Sequence, residues 1–309
     1  MAIGPRNDSP SWSWVGQSLA DFLAGEFDVR IFDTVTALPD ADLILVVKQR
    51  PPASFIEAAL ERAATCFFAP VDVYQDPAEI AADAIFLKHC RTVFLHAETL
   101  RPFLQPFAGR ILSVEHQGRY TLGAPAAYRE TGFLLWIGAI QHLPYQLAWL
   151  ERHPPKWPVR LLTDIGSAPG RLQAHILARS LGVHFVMAPG AINGFETEAW
   201  SEAVQSQWMR ACKAAFDIKG SSFNQTTKPP TKAQKFLASG IPFGCDPAHP
   251  ARHYFAPRGF EIVDAADARL YSEDYWRQVR EISGPLRRET TMERVGAQFR
   301  AGLLSGLAA

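Results

Sequence analysis

Strand-like and helix-like segments alternate twice along this chain, with one short break between the two runs, and that pattern restricts the fold more than any single motif. Alternation of this kind belongs to parallel sheets covered by helices. In the first run, Ser11 to Phe27 carries apolar residues at helical spacing, DVRIFD (28 to 33) and DLILVV (42 to 47) read as buried strands, and residues 54 to 64 read as a helix. TCFFAPVDV, RTVFLH and RILSVE continue as strands, with helices expected at 76 to 90 and 98 to 107, and MAIGP is a candidate first strand. The pattern breaks around Gly118 to Pro125 and restarts at Gly132 with GFLLWIGAI. A helix at 143 to 152, strand VRLLTD (159 to 164), a helix at 170 to 181, strand VHFVM (183 to 187), a helix at 199 to 212 and strand AAFDI (214 to 218) follow. IPFGC, GFEIV and C-terminal helices after Ser272 complete the chain.

A chain of 309 residues is long enough for two domains, each with its own core. The expected fold is therefore α/β, with two Rossmann-like parallel-sheet domains facing across a cleft. The expected boundaries are an N-terminal domain over 1–125, a C-terminal domain over 126–285, and a final helix over 286–309, which by analogy alone with other folds of two such domains packs back on the first domain. Ligands of such sheets sit outside the carboxyl ends of the strands, which directs attention to the strand-to-helix loops.

Charge narrows the ligand. Basic and acidic residues balance at 31 each, so nothing points to a nucleic-acid-coating surface. The first 125 residues hold 10 basic and 15 acidic side chains, so the excess of positive charge lies in the second part, where an anionic ligand would go. Cys66, Cys90, Cys212 and Cys245 are scattered without CxxC spacing and read as reduced core thiols. No apolar run approaches the ~18 residues of a membrane span, and the N-terminus lacks an apolar signal core, so the expected compartment is the cytoplasm. APGAING does not make GxGxxG and no GxxxxGK[ST] occurs, which removes the main support for a dinucleotide oxidoreductase or a P-loop kinase.

KPPTKAQKFLASGIPFG (228 to 244) is the segment with the clearest chemistry. Pro229 and Pro230 suit a helix entry, Ala233, Phe236 and Leu237 form an apolar stripe, and Gly240 supplies the stop. Lys232 falls in the first turn and Lys228 just before it, where free backbone N–H groups and the helix dipole are already positive. Two lysines there repel the local field unless an anion arrives, and phosphate is the common guest. A solvated lysine-rich helix end is the plain alternative.

PTKAQKFLASGIPFG resembles the donor-site segment of GT-B glycosyltransferases, in particular the large retaining family that uses nucleotide sugars in polysaccharide biosynthesis. Lys232, Ala238, Gly240 and Pro242 carry the match, with Ile241 in the apolar slot, and FLLWIGAI is similar to the first strand of the family's second domain, ending at Gly138. The resemblance implies transfer of a sugar from a nucleotide-diphosphate sugar to a glycan or other hydroxyl acceptor, without a metal or resident cofactor. It places Lys232 on the diphosphate, with Thr231 and the first-turn N–H groups helping; Lys228 joins it on grounds of charge and position. Gly138, Gln141, His142, Thr163 and the Ala188–Pro189–Gly190 turn are the expected donor contacts at other strand ends, the turn reaching the nucleobase. The family's two glutamates, eight positions apart, correspond to Thr227 and Lys235; its basic pair after the strand glycine corresponds to Gln141 and His142. Lys235 thus faces a further phosphate, an acidic sugar or solvent. A binding module of the same fold with lapsed catalysis is the rival reading.

On the acceptor side, Trp12 and Trp14 stand at the first helix entry, where aromatic faces suit the C–H surface of a sugar, and Gly16 would permit close approach. His96, at the end of RTVFLH, is placed to orient an acceptor, although a satisfied structural histidine is the commoner outcome. Asp40 with Asp42, and His249 with His253, have metal-like spacings but no further ligand, and no metal site is expected.

Overall fold

The structure, a computed structural model, describes residues 1–9 and 11–307; the last two residues of the expected C-terminal helix lie outside the described residues. The chain forms two compact units. One comprises Met1–Arg119, Ser221–Thr231 and Arg287–Ala309, the other Tyr120–Gly220 and Lys232–Leu286.

The first unit is built on a six-stranded parallel sheet. Its strands are β1 (Ala2–Gly4), β2 (Arg30–Ile31), β3 (Leu43–Val47), β4 (Thr65–Ala69), β5 (Thr92–Leu95) and β6 (Ile111–Ser113), in the order β2-β1-β3-β4-β5-β6. The run LILVV is buried at every position because helices cover both faces of the sheet. Strand periodicity divides it cleanly: Leu43, Leu45 and Val47 face one core with Phe67 and Phe94, while Ile44 and Val46 face the other with Phe68 and Val93. The helix Ala53–Glu61 contributes Phe55 and Ala59 to the second core.

The first core is closed by the other end of the chain. Helix Met292–Leu307 places Val295, Phe299 and Leu303 among Ile3, Leu45, Phe67 and Phe94, and the Phe299 ring centroid lies 4.5 Å from that of Phe94. Gly302 lets this helix approach closely, since a Cβ there would collide with the Phe94 ring. A second return, Ser221–Thr231, carries the short helix Phe223–Thr226, whose Phe223 stacks edge-on against Phe103 at 4.8 Å.

The second unit has seven strands: β7 (Leu134–Ile137), β8 (Val159–Thr163), β9 (Met187–Ala188), β10 (Ala191–Ile192), β11 (Phe195–Ala199), β12 (Ala214–Asp217) and β13 (Phe243–Cys245). Their order is β13-β12-β7-β8-β11-β10-β9, parallel except where β9, β10 and β11 pair antiparallel. Helices Leu143–Arg152, Ala168–Leu181 and Glu202–Ala211 follow the expected alternation. VHFVM is not the third parallel strand. That place belongs to β11, and Met187–Ala188 is an outer strand of a meander whose turns use Gly190 at φ 68°, Asn193 at φ 50° and Gly194 at φ 80°. GFEIV forms no strand, and only the residue after it, Asp264, makes a bridge, to Cys245. Among the described residues, no helix is long and apolar enough to cross a membrane.

Because Phe299 plugs the first core from a segment more than 200 positions away from Phe94, its truncation should show how far that core depends on the C-terminus. Phe299→Ala is expected to destabilise the first unit by about 3–5 kcal/mol, measured by urea unfolding. A change below about 1 kcal/mol would mean that the helix is a dispensable cover.

Candidate functional site

The carboxyl edge of the second sheet gathers charge around one carboxylate. Asp217 ends β12 and is 1% exposed. Its Oδ1 accepts from Trp136 Nε1 at 3.0 Å and from Lys232 Nζ at 2.7 Å; its Oδ2 accepts from Lys219 Nζ at 2.9 Å and meets His249 Nε2 at 3.2 Å. The His249 tautomer follows from its other nitrogen. Nδ1 accepts the Ala251 N–H at 3.1 Å, so the proton sits on Nε2 and the neutral ring donates to Asp217. Burial pulls the His249 pKa down and keeps that state. Burial pushes the Asp217 carboxyl up, but Lys219 and Lys232, then His249, pull harder the other way, and it stays well below the usual carboxylate range.

Lys232 enters from helix Thr231–Ala238, stopped by Gly240 at φ 70°, and its ammonium lies 4.8 Å from the centre of the Trp136 ring. Gly138 makes the space. A Cβ at that position would stand 2.6 Å from the Trp136 ring and 2.7 Å from Lys232 Nζ, so the strand glycine and the helix lysine belong to one arrangement. Gln141 and His142 lie half-buried in the 3₁₀ turn that follows, where the Ile140 N–H donates to Asp164 Oδ1 at 2.6 Å.

Other expected donor contacts fare differently. Thr163 is fully buried and gives its hydroxyl to Asp164 Oδ1 at 3.2 Å, leaving no atom for a ligand. Ala188, Pro189 and Gly190 are exposed, but they form the turn of the outer meander rather than a loop at the carboxyl end of a parallel strand; the residue that follows β11 is Trp200. Lys235 is half-buried rather than solvated, 3.3 Å from Gln205 Oε1 and 5.6 Å from the centre of the Tyr120 ring, and burial lowers its pKa to about 8. Thr231 opens the helix and groups with the first unit.

Lys228 also groups with the first unit, so the two lysines expected on one anion have different counter-ions. Lys228 Nζ lies 3.9 Å from Asp72 Oδ2, whereas Lys232 is on Asp217. Asp72 in turn holds Lys48 Nζ at 2.9 Å, and Lys48 reaches Ser11 Oγ at 3.0 Å. Asn224 fastens the returning segment here, donating from Nδ2 to the carbonyls of Asp72 and Tyr74 at 2.9 Å each. Lys48 at φ 50° and Val71 at φ 55° hold left-handed backbone just past β3 and β4; for a β-branched valine this is real strain, of a kind that gathers at functional loops.

His96, past β5, is 6% exposed with neither ring nitrogen hydrogen-bonded, and its ring centroid lies 5.4 Å from that of His116. Trp14 meets His116 edge-on at 5.2 Å, so it does stand beside the histidines at this sheet edge. Trp12 does not serve as an acceptor platform. It is 5% exposed in the first core, and its ring fills the space above Gly16, which therefore offers no approach to a ligand.

Asp217, Lys219, Asp72, Lys48 and His116 escaped the sequence reading, and His249 entered it only as half of a metal-like pair. The one available signal was an aspartate inside the apolar strand AAFDI, since a carboxylate in such a run needs partners. The metal-like pairs have local uses: Asp40 pairs with Arg62 at 3.1 Å, and His249 is committed to Asp217. Among the described residues no group of three or more histidine, cysteine or acidic side chains could hold a metal.

No protein-family model matches the chain, and no curated protein is significantly similar to it in sequence. Solved structures do resemble it. AviGT4, a glycosyltransferase involved in avilamycin A biosynthesis, superposes with a TM-score of 0.57 at 11% identity, covering 97% of this chain and 91% of its own. An α,α-trehalose-phosphate synthase (UDP-forming) from Burkholderia vietnamiensis gives 0.57 at 11% identity, covering 98% and 82%. A glycosyltransferase from Rickettsia africae ESF-5 gives 0.54 at 11%, covering 99% and 84%. The chain has the fold of these enzymes, GT-B, and its two parallel-sheet units agree with it.

The buried histidines set a pH response. Burial depresses both, His116 to about 4 and His96 well below its ordinary value, whereas an unfolded histidine titrates near 6.5. Below that value the unfolded chain binds protons that the folded one refuses, so stability rises with pH across the window and is lost on acidification. Lowering pH from 7 to 5 is expected to cost about 2 kcal/mol through His116 alone. Urea unfolding of the native chain and His116→Asn at both pH values isolates the contribution. Equal pH dependence in the two would mean that the folded unit protonates this imidazole.

Proposed function

We propose that this protein is a glycosyltransferase that moves a sugar from a nucleoside-diphosphate sugar to a hydroxyl acceptor, with the donor's diphosphate held at the Asp217–Lys232 edge of the second unit. The GT-B fold supplies the prior, and fold alone does not choose a chemistry. The observation that carries the reading is the fit of Lys232 over Gly138: a cation from a helix's first turn, brought to the carboxyl edge of a parallel sheet where the strand glycine has given up its Cβ.

Transfer breaks the bond between the anomeric carbon and the β-phosphate oxygen and forms one to the acceptor oxygen. Negative charge builds on the departing diphosphate, whose released oxygen takes the acceptor's proton. A fixed ammonium and the first-turn N–H groups oppose that charge without reorganising, so the reaction on this reading needs no metal. The acceptor is assigned to the first unit, where Trp14 gives an aromatic surface and His96 unspent hydrogen-bonding capacity.

Nucleotide release from uridine, guanosine, adenosine and thymidine diphosphate sugars, uridine first, tests the proposal. Lys232→Met is expected to lower release by about 10²–10³-fold, the loss typical of removing one group that stabilises developing charge. Binding without release in the native protein would mark a module that holds the donor and does not turn it over. No binding of any nucleoside diphosphate would reject the reading.

A further inference from the structure

The amino edge of the first sheet, where β4, β5 and β6 begin, carries a second concentration of charge. Ala64, Arg91 and Arg110 each stand immediately before one of these strands, and the strands are neighbours. The Arg91 N–H donates to the Cys66 carbonyl at 2.8 Å and the Val93 N–H to the Arg110 carbonyl at 2.9 Å, so both arginines leave from backbone pinned to the sheet. The helix Ala84–His89 brings Lys88 and His89 to the same edge in its last turn. His89 Nε2 donates to the Ala64 carbonyl at 2.9 Å, which ties the helix end to the turn entering β4. Between these loops opens a cavity of about 680 Å³, within the range of small-molecule sites.

Its charged lining has one sign. Lys88, His89, Arg91 and Arg110 line it beside Ala63 and Ala64, and no acidic side chain does. Lys88 and Arg91 are exposed and make no side-chain hydrogen bond or ion pair among the described residues, while Arg110 spends one N–H on Ser305 Oγ at 2.8 Å. Cations at the carboxyl end of a helix have a plain structural use, and the ends of Ala84–His89 and Met292–Leu307 each set about half a negative charge against these. Glu61, exposed two positions before Ala63, pairs with none of them, and Arg62 is matched by Asp40. With Glu61 and both helix ends counted, the three permanent cations still leave the cavity positive. Like charges held around one concavity repel one another and focus a field on it, and a polyvalent anion relieves both effects at once.

We propose that this cavity binds a phosphate dianion, free or carried as the ester of a small molecule, with Arg91, Arg110 and Lys88 as its ligands. Guanidinium forks suit the paired oxygens of a phosphate, and a dianion answers more than one of the three charges. The site does not rest on the donor reading. The five residues of β4 separate it by about 15 Å from the Asp72 edge of the same unit, and it shares no residue with the Asp217–Lys232 centre.

Isothermal titration of inorganic phosphate and of ribose 5-phosphate into the native chain, the double variant Lys88→Met with Arg91→Gln, and Lys232→Met tests the site. Neither Lys88 nor Arg91 holds another side chain in place, so the double variant is expected to keep the native urea midpoint while binding both probes at least about tenfold more weakly. Lys232→Met is expected to bind them as the native chain does. Tighter binding of the ester assigns the site to a carried phosphate and equal affinity to a free one, and both support the proposal. Undiminished binding in the double variant, loss in Lys232→Met instead, or no binding of either probe by the native chain overturns it. None of these results counts against the donor reading, which nucleotide release tests separately.

Discussion

A carboxylate that has surrendered its water needs other donors, and Asp217 finds four: an indole N–H, two ammonium groups and a neutral imidazole. Much of the second unit's arrangement follows from that need. Trp136 must present its edge from β7, which places the ring where residue 138 can carry no side chain. The helix Thr231–Ala238 must deliver Lys232 from its first turn, and the chain after β13 must return His249 to the same oxygen that holds Lys219. Strands β7, β12 and β13 are neighbours in the sheet, so one short cross-section contains the whole set.

The first unit repeats the device in a looser form. Asp72 takes Lys48 at 2.9 Å and Lys228 only at 3.9 Å, with each partner side chain still about a fifth exposed. Strained backbone at Lys48 and Val71 and the unsatisfied imidazole of His96 lie along the same sheet edge. Water screens such pairs more than it screens a carboxylate buried at 1%, so the second unit's charges are the more tightly fixed. A rigid centre suits a ligand group that is chemically constant, as a diphosphate is. A looser one suits a polar partner whose hydroxyls must be accommodated by side chains that can move.

What the sequence made legible was set by local physics. Continuous apolar runs such as LILVV and LLWI mark strands covered on both faces, and KPPTKAQKFLASG carries its own start and stop in the prolines and in Gly240. The third strand of the second sheet was misplaced for an equally local reason. Phe195–Ala199 alternates glutamates with Phe195 and Thr197 and buries only Thr197, so it lacks an apolar signature, while the nearby run VHFVM has one and stays largely exposed. The counter-ions were not legible at all. Lys232 meets Asp217 across 15 positions, His249 across 32, and Lys228 meets Asp72 across 156, and no spacing rule encodes such encounters.

The order in which the polypeptide is made gives the closing helix a temporal meaning. As the nascent chain leaves the ribosome, everything belonging to the unit that runs from Tyr120 to Leu286 is available before Met292–Leu307 has been synthesised. The N-terminal sheet, although translated earlier, has one apolar face covered only in part, by Trp12, Val15, Leu19 and Leu23, until Val295, Phe299 and Leu303 are made. Completion of that core thus waits on a segment translated after the whole second unit, which prolongs its exposure to unwanted association.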